Sequence, residues 1–357
     1  MSLVASFSKR VFTFNFKART SRGLMQNKAS WFIKIWDDGN PEIFGIGECG
    51  PLPGLSVDAR DDFEEVLTKT LTQINQLELT TDIEKLNVHA IISAEFPSII
   101  FGIETALLDL ANGGKRMIFD NNPFSKGQPI SINGLIWMGD MDFMMDQISK
   151  KIGEGFNCIK LKVGGLDFDR ECDVLDYIRR RFFRENITIR LDANGAFKID
   201  DVLFRLDQLS KYKIESIEQP IKPGLPEMEE LCRKSPIPIA FDEELIGIHS
   251  RQEKQQLLDR LKPKYIVLKP SLHGGLSGCK EWIALAEDQG IGWWITSALE
   301  SNIGLNAICQ FTATYPINMP QGLGTGAIYD NNISSPLKVE RGNIFYDSNQ
   351  SWSSELI

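Results

Sequence analysis

Histidine is scarce in this chain: three (His89, His249, His273) in 357 residues. The six cysteines (Cys49, Cys158, Cys172, Cys232, Cys279, Cys309) include no Cys-x-x-Cys pair. Together these shortages argue against a zinc site or a disulfide framework, and the cysteines read as reduced side chains filling small packing positions. Positive charge is not in excess either. The 39 Lys and Arg against 48 Asp and Glu leave a formal charge of −9 and a pI near 5.1, which argues against nucleic acid or an anionic membrane surface as partner. No run approaches the roughly 18 apolar residues needed to cross a bilayer. The start alternates (Val11, Phe12, Thr13, Phe14, Asn15, Phe16) where a secretory signal would be continuously apolar. Asn186-Ile187-Thr188 and Asn332-Ile333-Ser334 match glycosylation sequons, but without such a signal they carry no weight. The expectation is a cytoplasmic protein.

The first third reads as an α+β module. Strand-like segments at Ser6–Phe16, Ser30–Trp36 and Glu42–Glu48 are separated by Arg19–Lys28 and by the turn Asp37-Asp38-Gly39-Asn40. Helical periodicity follows at about 57–78 and 97–112, the latter with Ile99, Ile103, Ala106, Leu107 and Leu110 on one face. Loop chemistry from Asn121 to Pro129 marks a boundary, giving a module over 1–128. From Ile130 the texture becomes strict alternation. Apolar runs at 130–137, 156–163, 187–193, 214–219, 236–241, 265–269, 292–298 and 317–323 are separated by amphipathic segments. Eight such runs predict a (β/α) barrel over 129–328, at the short end of the usual size. The remaining residues, 329–357, predict a short hairpin around Arg341-Gly342 within a tail that returns to the first module.

Charged residues end the barrel runs at regular steps. From Lys162 to Asp192, Glu218, Asp242 and Lys269 the intervals are 30, 26, 24 and 27 residues, close to the roughly 30 residues of a strand and its return helix. A barrel gathers such positions at one end, where the strands' C-termini converge. Three carboxylates from three neighbouring strands, with no His or Cys beside them, suit a hard cation, Mg²⁺ with Mn²⁺ as its substitute. Taken singly, each acid could be a helix cap or a solvated loop residue; three in consecutive units make a site. Lys160 and Lys162 share one face of a strand because side chains alternate. Like charges side by side next to a cation ease proton loss from one of them, so that a lysine can act as a base. Lys269 lies several units around the barrel and so faces the pair across the acids. The chemistry implied is removal of a proton α to a carboxylate, with the cation stabilising the resulting enediolate.

These residues resemble those of the enolase superfamily in its muconate-lactonising-type branch. The likeness covers essentially the whole chain. It implies an α/β fold: a modified TIM barrel, (β/α)7β, under an N-terminal α+β capping domain completed by the C-terminal tail. It also implies Asp192, Glu218 and Asp242 as metal ligands, and Lys160, Lys162 and Lys269 as catalytic lysines. Asn194 and Glu243 match supporting positions that contact these groups rather than the ion.

Three further segments are similar to one member of that branch, a dehydratase. They are Ser21-Arg22-Gly23; Gly47-Glu48-Cys49-Gly50-Pro51-Leu52-Pro53-Gly54-Leu55-Ser56; and Ser297-Ala298-Leu299-Glu300-Ser301-Asn302. This likeness implies loss of water from 2-succinyl-6-hydroxy-2,4-cyclohexadiene-1-carboxylate. Lys162 would act as base and Lys269 would stabilise the dianion. Arg22, Pro53, Ser297 and Ser301 would contact substrate, and 19–28 would be a mobile lid. The alternatives are an N-succinylamino acid racemase, which shares the succinyl group, and a dipeptide epimerase. An epimerase would be expected to show Asp-x-Asp at the eighth run, where Gly322-Leu323-Gly324-Thr325-Gly326 stands. That glycine-rich loop precedes no helix signal, so it is not read as a phosphate cradle. His273 reads as a loop residue rather than a base. Of Trp293 and Trp294, one should face the barrel and the other the helices.

Overall fold

A computed structural model describes residues 2–20, 23–77 and 87–353. Alternating apolar residues at the start build an antiparallel sheet of β1 (Leu3–Thr20), β2 (Gly23–Asp37) and β3 (Asn40–Cys49). Leu3, Ala5, Ile33 and Ile35 on one face pack against Phe63, Leu67, Ile99 and Ile103, which are carried by α1 (Phe63–Ile74) and α2 (Pro97–Ala111). The approach of α2 to β3 is backbone to backbone. A β-carbon on Gly45 would lie 1.8 Å from the Ala106 carbonyl oxygen, and one on Gly47 1.8 Å from that of Gly102. Only glycine allows this contact.

One expectation is corrected here. Much of 19–28 is strand rather than loop: Arg19 pairs with Leu24, Thr20 with Gly23 and Lys28 with Phe12. Backbone pairing carries no side-chain signature, so the hairpin continues past the apolar alternation, through an irregularity between Thr13 and Ala18. Arg22 itself lies outside the described residues.

The barrel sheet holds seven parallel strands in chain order: β5 (Gly134–Ile136), β6 (Cys158–Lys162), β7 (Thr188–Asp192), β8 (Ser216–Glu218), β9 (Ile239–Phe241), β10 (Tyr265–Leu268) and β11 (Gly292–Ile295). The outer layer consists of α3 (Met141–Gly153), α4 (Phe168–Arg181), α5 (Ile199–Ser210), α6 (Glu227–Lys234), α7 (Arg251–Leu261), α8 (Gly275–Asp288) and α9 (Asn302–Thr312). The eighth run is not a strand. Gln321 and Gly322 alone join the two sheet edges, through bridges to Ile132 and Thr296 and hydrogen bonds to Ser131, Asn133, Ile295 and Ser297. Pro316 and Pro320 lack the N–H groups a longer ladder needs.

Outward residues of the strands (Ile159, Leu161, Ile189, Leu191) join the helices in one large core. Inside, the lower end is filled by Ala240, Val267 and Trp294. The Arg190 guanidinium lies 4.2 Å from the Trp294 ring centroid and donates to the Pro320 carbonyl at 2.7 Å. Trp293 turns outward onto Tyr315, as the alternation requires. The barrel is therefore plugged at one end, and polar chemistry is confined to the other.

The tail divides in two. Tyr329 bridges Phe14 and Asn331 bonds the backbone of Val11 and Thr13, which fastens this stretch to the capping sheet. The hairpin of β12 (Leu337–Glu340) and β13 (Asn343–Tyr346) forms around Arg341-Gly342. It pairs with β4 (Ile130–Ser131) at the barrel entrance rather than with the capping sheet.

Candidate active site

Strand register sets the site. Lys160 stands opposite Arg190, Lys162 opposite Asp192, and Asp192 opposite Glu218, so alternation turns all of these into the barrel. Asp242 and Lys269 directly follow β9 and β10. One carboxylate oxygen from each of Asp192, Glu218 and Asp242 lies within 4.8 Å of the others, and all three residues are buried. The Lys160 ammonium donates to Glu218 at 2.5 Å and sits 3.0 Å from Asp192. Lys162 donates to Asp192 at 2.8 Å and to the Asn194 side-chain oxygen at 2.7 Å. Across the triad, Lys269 contacts both oxygens of Asp242.

The electrostatics follow from burial of so many charges together. Burial alone would lower the Lys160 ammonium, but Asp192, Glu218 and Asp242 outweigh it and hold the group above the ordinary lysine range. In the metal-free protein three acids act on Lys160 and favour its charged form, which suits the fixed positive charge expected of it rather than the base. Asp192 is pushed up by burial but held well below the usual carboxylate range by Lys160 and Lys162. Glu218 is raised to about 7, chiefly by burial, with Asp192 and Asp242 adding and Lys160 opposing.

A cation fits this arrangement. Oxygen ligands about 2.1 Å from an ion are at most about 4.2 Å apart, so the triad needs only a small contraction to share one. One Glu218 oxygen, Oε1, is buried with no hydrogen-bond partner among the described residues, which leaves a lone pair for an ion. All-oxygen donors of this kind suit a hard divalent ion.

Supports surround the ligands. Asn194, held at φ 45°, accepts from Lys162 and donates to Glu243 at 2.9 Å. Glu243 can only accept when ionised, and this fixes which end of the amide faces Lys162. Gln219 and Glu244 were not singled out from the sequence, yet they clamp two ligands together. The Gln219 amide donates to Glu244 at 3.0 Å and accepts from the Glu244 backbone N–H at 3.0 Å. Gln219 directly follows Glu218 and Glu244 lies two residues past Asp242. Replacing Gln219 with leucine is expected to weaken divalent-ion binding about tenfold to a hundredfold, the usual consequence of removing an outer partner. Calorimetric titration with Mg²⁺ checks this, and unchanged affinity would show that the clamp is dispensable.

The residues expected to touch substrate are placed unequally. Pro53 is exposed, in a cap segment whose neighbours Leu52 and Leu55 pack on Ile246, Leu272, Ala298 and Leu299 beyond the strand ends. Ser297 is buried, and its hydroxyl pairs with that of Thr325. Ser301 is packed more deeply than Ser297. It is fully buried, donates to Glu48 at 2.6 Å and caps α9 by accepting from the Ile303 N–H. A serine just before a helix is a capping residue first. His273 accepts the Lys269 backbone N–H through Nδ1 at 2.9 Å and is pushed down to about 3 by burial, as befits a neutral turn-forming residue.

Comparison with known proteins agrees with this geometry. Residues 144–351 match the family model described as enolase C-terminal domain-like. An o-succinylbenzoate synthase of Desulfotalea psychrophila is 42% identical, over 94% of this chain and 97% of that protein. One of Pasteurella multocida is 25% identical over 82% and 81%. The crystal structure of MenC from Desulfotalea psychrophila LSv54 superposes with a TM-score of 0.85 at 38% identity, covering 97% of this chain and all of that one. A dipeptide epimerase from Enterococcus faecalis, solved with Mg and a dipeptide, also reaches 0.85 but at 20% identity, over 98% of each chain, and so shares the fold alone. No helix among the described residues is long and apolar enough to cross a membrane. The chain belongs to the o-succinylbenzoate synthases of the enolase superfamily, hydro-lyases that share its capped barrel.

Proposed function

We propose that this hydro-lyase dehydrates 2-succinyl-6-hydroxy-2,4-cyclohexadiene-1-carboxylate with Lys162 as base, Lys269 and Lys160 as fixed positive charges, and a Mg²⁺ ion on Asp192, Glu218 and Asp242, Mn²⁺ substituting. The observation that carries this reading is the placement of Lys162 and Lys269 on β6 and just past β10, on opposite sides of one buried acidic triad. A divalent cation held by Asp192, Glu218 and Asp242 would supply charge stabilisation as the ring carboxylate's α-proton is lost. Lys162 takes the proton from the carbon bearing that carboxylate and returns it to the departing hydroxyl, so water leaves and the ring becomes aromatic. Asn194 and Asp192 aim the Lys162 nitrogen. Lys269, seated on Asp242, faces the intermediate from the other side, and Lys160 helps hold the carboxylate.

Because aromatisation drives the elimination, a single base is enough. A racemase would need Lys162 and Lys269 to exchange protons on both faces. Incubation in D2O with Mg²⁺, followed by proton NMR, separates the two. The expected result is full conversion of the cyclohexadiene, with an N-succinylamino acid keeping its α-proton over the same period. Rapid exchange of that α-proton without dehydration would overturn the assignment.

A further inference from the structure

The cap is tied to the barrel by charged groups in its interior, none of which the chemistry above uses. Lys28, within β2, is 3% exposed. Its ammonium has three donors but makes one hydrogen bond among the described residues, to Ser30 Oγ at 3.2 Å. Two fully buried carboxylates, Glu48 and Glu300, act on it electrostatically. Glu48 is well satisfied, accepting from Ser30, from the Ser301 N–H and hydroxyl, and from the Gly304 N–H at 2.6–3.0 Å. Glu300 accepts from Ser271 Oγ at 2.5 Å and from the Ala298 N–H at 2.7 Å. Burial works against both charged forms, lowering Lys28 and raising Glu300, and each charge favours the other.

The location gives this pairing its consequence. Ser271 lies two residues past Lys269, in the turn where Leu272 and His273 donate back to the Lys269 carbonyl. Gly50 rests directly on the lysine: a β-carbon there would lie 2.3 Å from Lys28 Nζ. Gly50 opens the cap segment whose Leu52 and Leu55 cover the ends of β9 to β11. The cap sheet, the covering segment and the Lys269 turn therefore meet around one buried ammonium, Lys28, and two buried carboxylates, Glu48 and Glu300.

We propose that Lys28 and Glu300 are positioning residues of the active site, holding segment 50–56 down over the strand ends and, through Ser271, fixing the turn that carries Lys269. The proposal rests on the reading that Lys269 works in the site. Removing Lys28 leaves Glu48 and Glu300 buried together without a cation, whereas removing Glu300 as well restores the wild-type net charge of the junction.

The test measures kcat and KM for dehydration, amide hydrogen exchange of 50–56 in the metal-free protein, and Mg²⁺ binding, in Lys28→Met, Glu300→Gln and the double variant. Each single change is expected to lower kcat/KM roughly tenfold to a hundredfold and to speed exchange across 50–56. The double variant should recover most of the Lys28→Met loss, and Mg²⁺ affinity should stay at its wild-type value throughout. Should Lys28→Met not fold, Gly50→Ala keeps the charge but displaces the ammonium, and the same direction of change is expected. Single variants with wild-type kcat/KM and exchange, or a double variant as impaired as the product of the singles, would overturn the proposal. An inactive wild-type enzyme would instead count against the reading of the site.

Discussion

Lys162→Ala is expected to lower kcat for dehydration by about 10³–10⁴, the usual worth of a positioned base, with little change in KM. Lys162 is placed for proton transfer rather than for holding substrate. Its nitrogen is fixed by Asp192 and Asn194 at 2.8 and 2.7 Å, and the amide of Asn194 is itself fixed by Glu243. The alanine variant leaves the acidic triad intact, so Mg²⁺ should still bind. Lys162→Arg should not restore the rate, because a guanidinium does not give up its proton at accessible pH. An alanine variant within tenfold of wild type would place the base elsewhere, with Lys269 the next residue to test.

Removing the cation has an effect of similar size. Dialysis against a chelator is expected to reduce dehydration by roughly a thousandfold or more, since the ion is asked for several kcal/mol of charge stabilisation, and added Mg²⁺ should restore it. Glu218→Gln should not be rescued at ordinary concentrations, because the buried oxygen with no hydrogen-bond partner among the described residues belongs to this residue. The affinity should also depend on pH in a stated direction. In the metal-free protein burial raises Glu218 to about 7, and a cation binds the deprotonated carboxylate. Binding below about pH 7 therefore displaces a proton, and apparent affinity falls by up to about tenfold per unit of acidification. Above that pH it levels off. Affinity that is flat from pH 6 to 8 would contradict the raised Glu218.

How much of this was legible beforehand depended on whether a feature leaves a side-chain signature. The barrel was readable because Lys162, Asp192, Glu218, Asp242 and Lys269 recur at the period of a βα unit, and Lys160 shares a face with Lys162 by alternation. The eighth strand was not. Its apolar run is real, but Pro316 and Pro320 limit it to two pairing residues. The strand pairing of 19–20 and 23–28 had no sequence signature because backbone pairing does not need apolar alternation. Helix α9 is buried all round and so has no amphipathic stripe; its Gln310 turns inward to accept the Ile118 N–H. Ser301 lies in a segment that resembles a binding segment, and the bonds of its hydroxyl to Glu48 and to the Ile303 N–H had no sequence signature beyond its place before a helix. Buried ionic partners such as Lys28, Glu300 and Glu244 are set by tertiary contacts alone, and no local pattern announces them.

The most direct test of the account follows the cyclohexadiene carboxylate in the ultraviolet with purified protein, with and without Mg²⁺. Rapid conversion to the aromatic product that requires the ion is the predicted result. A folded, metal-loaded protein that leaves this substrate unchanged would contradict it.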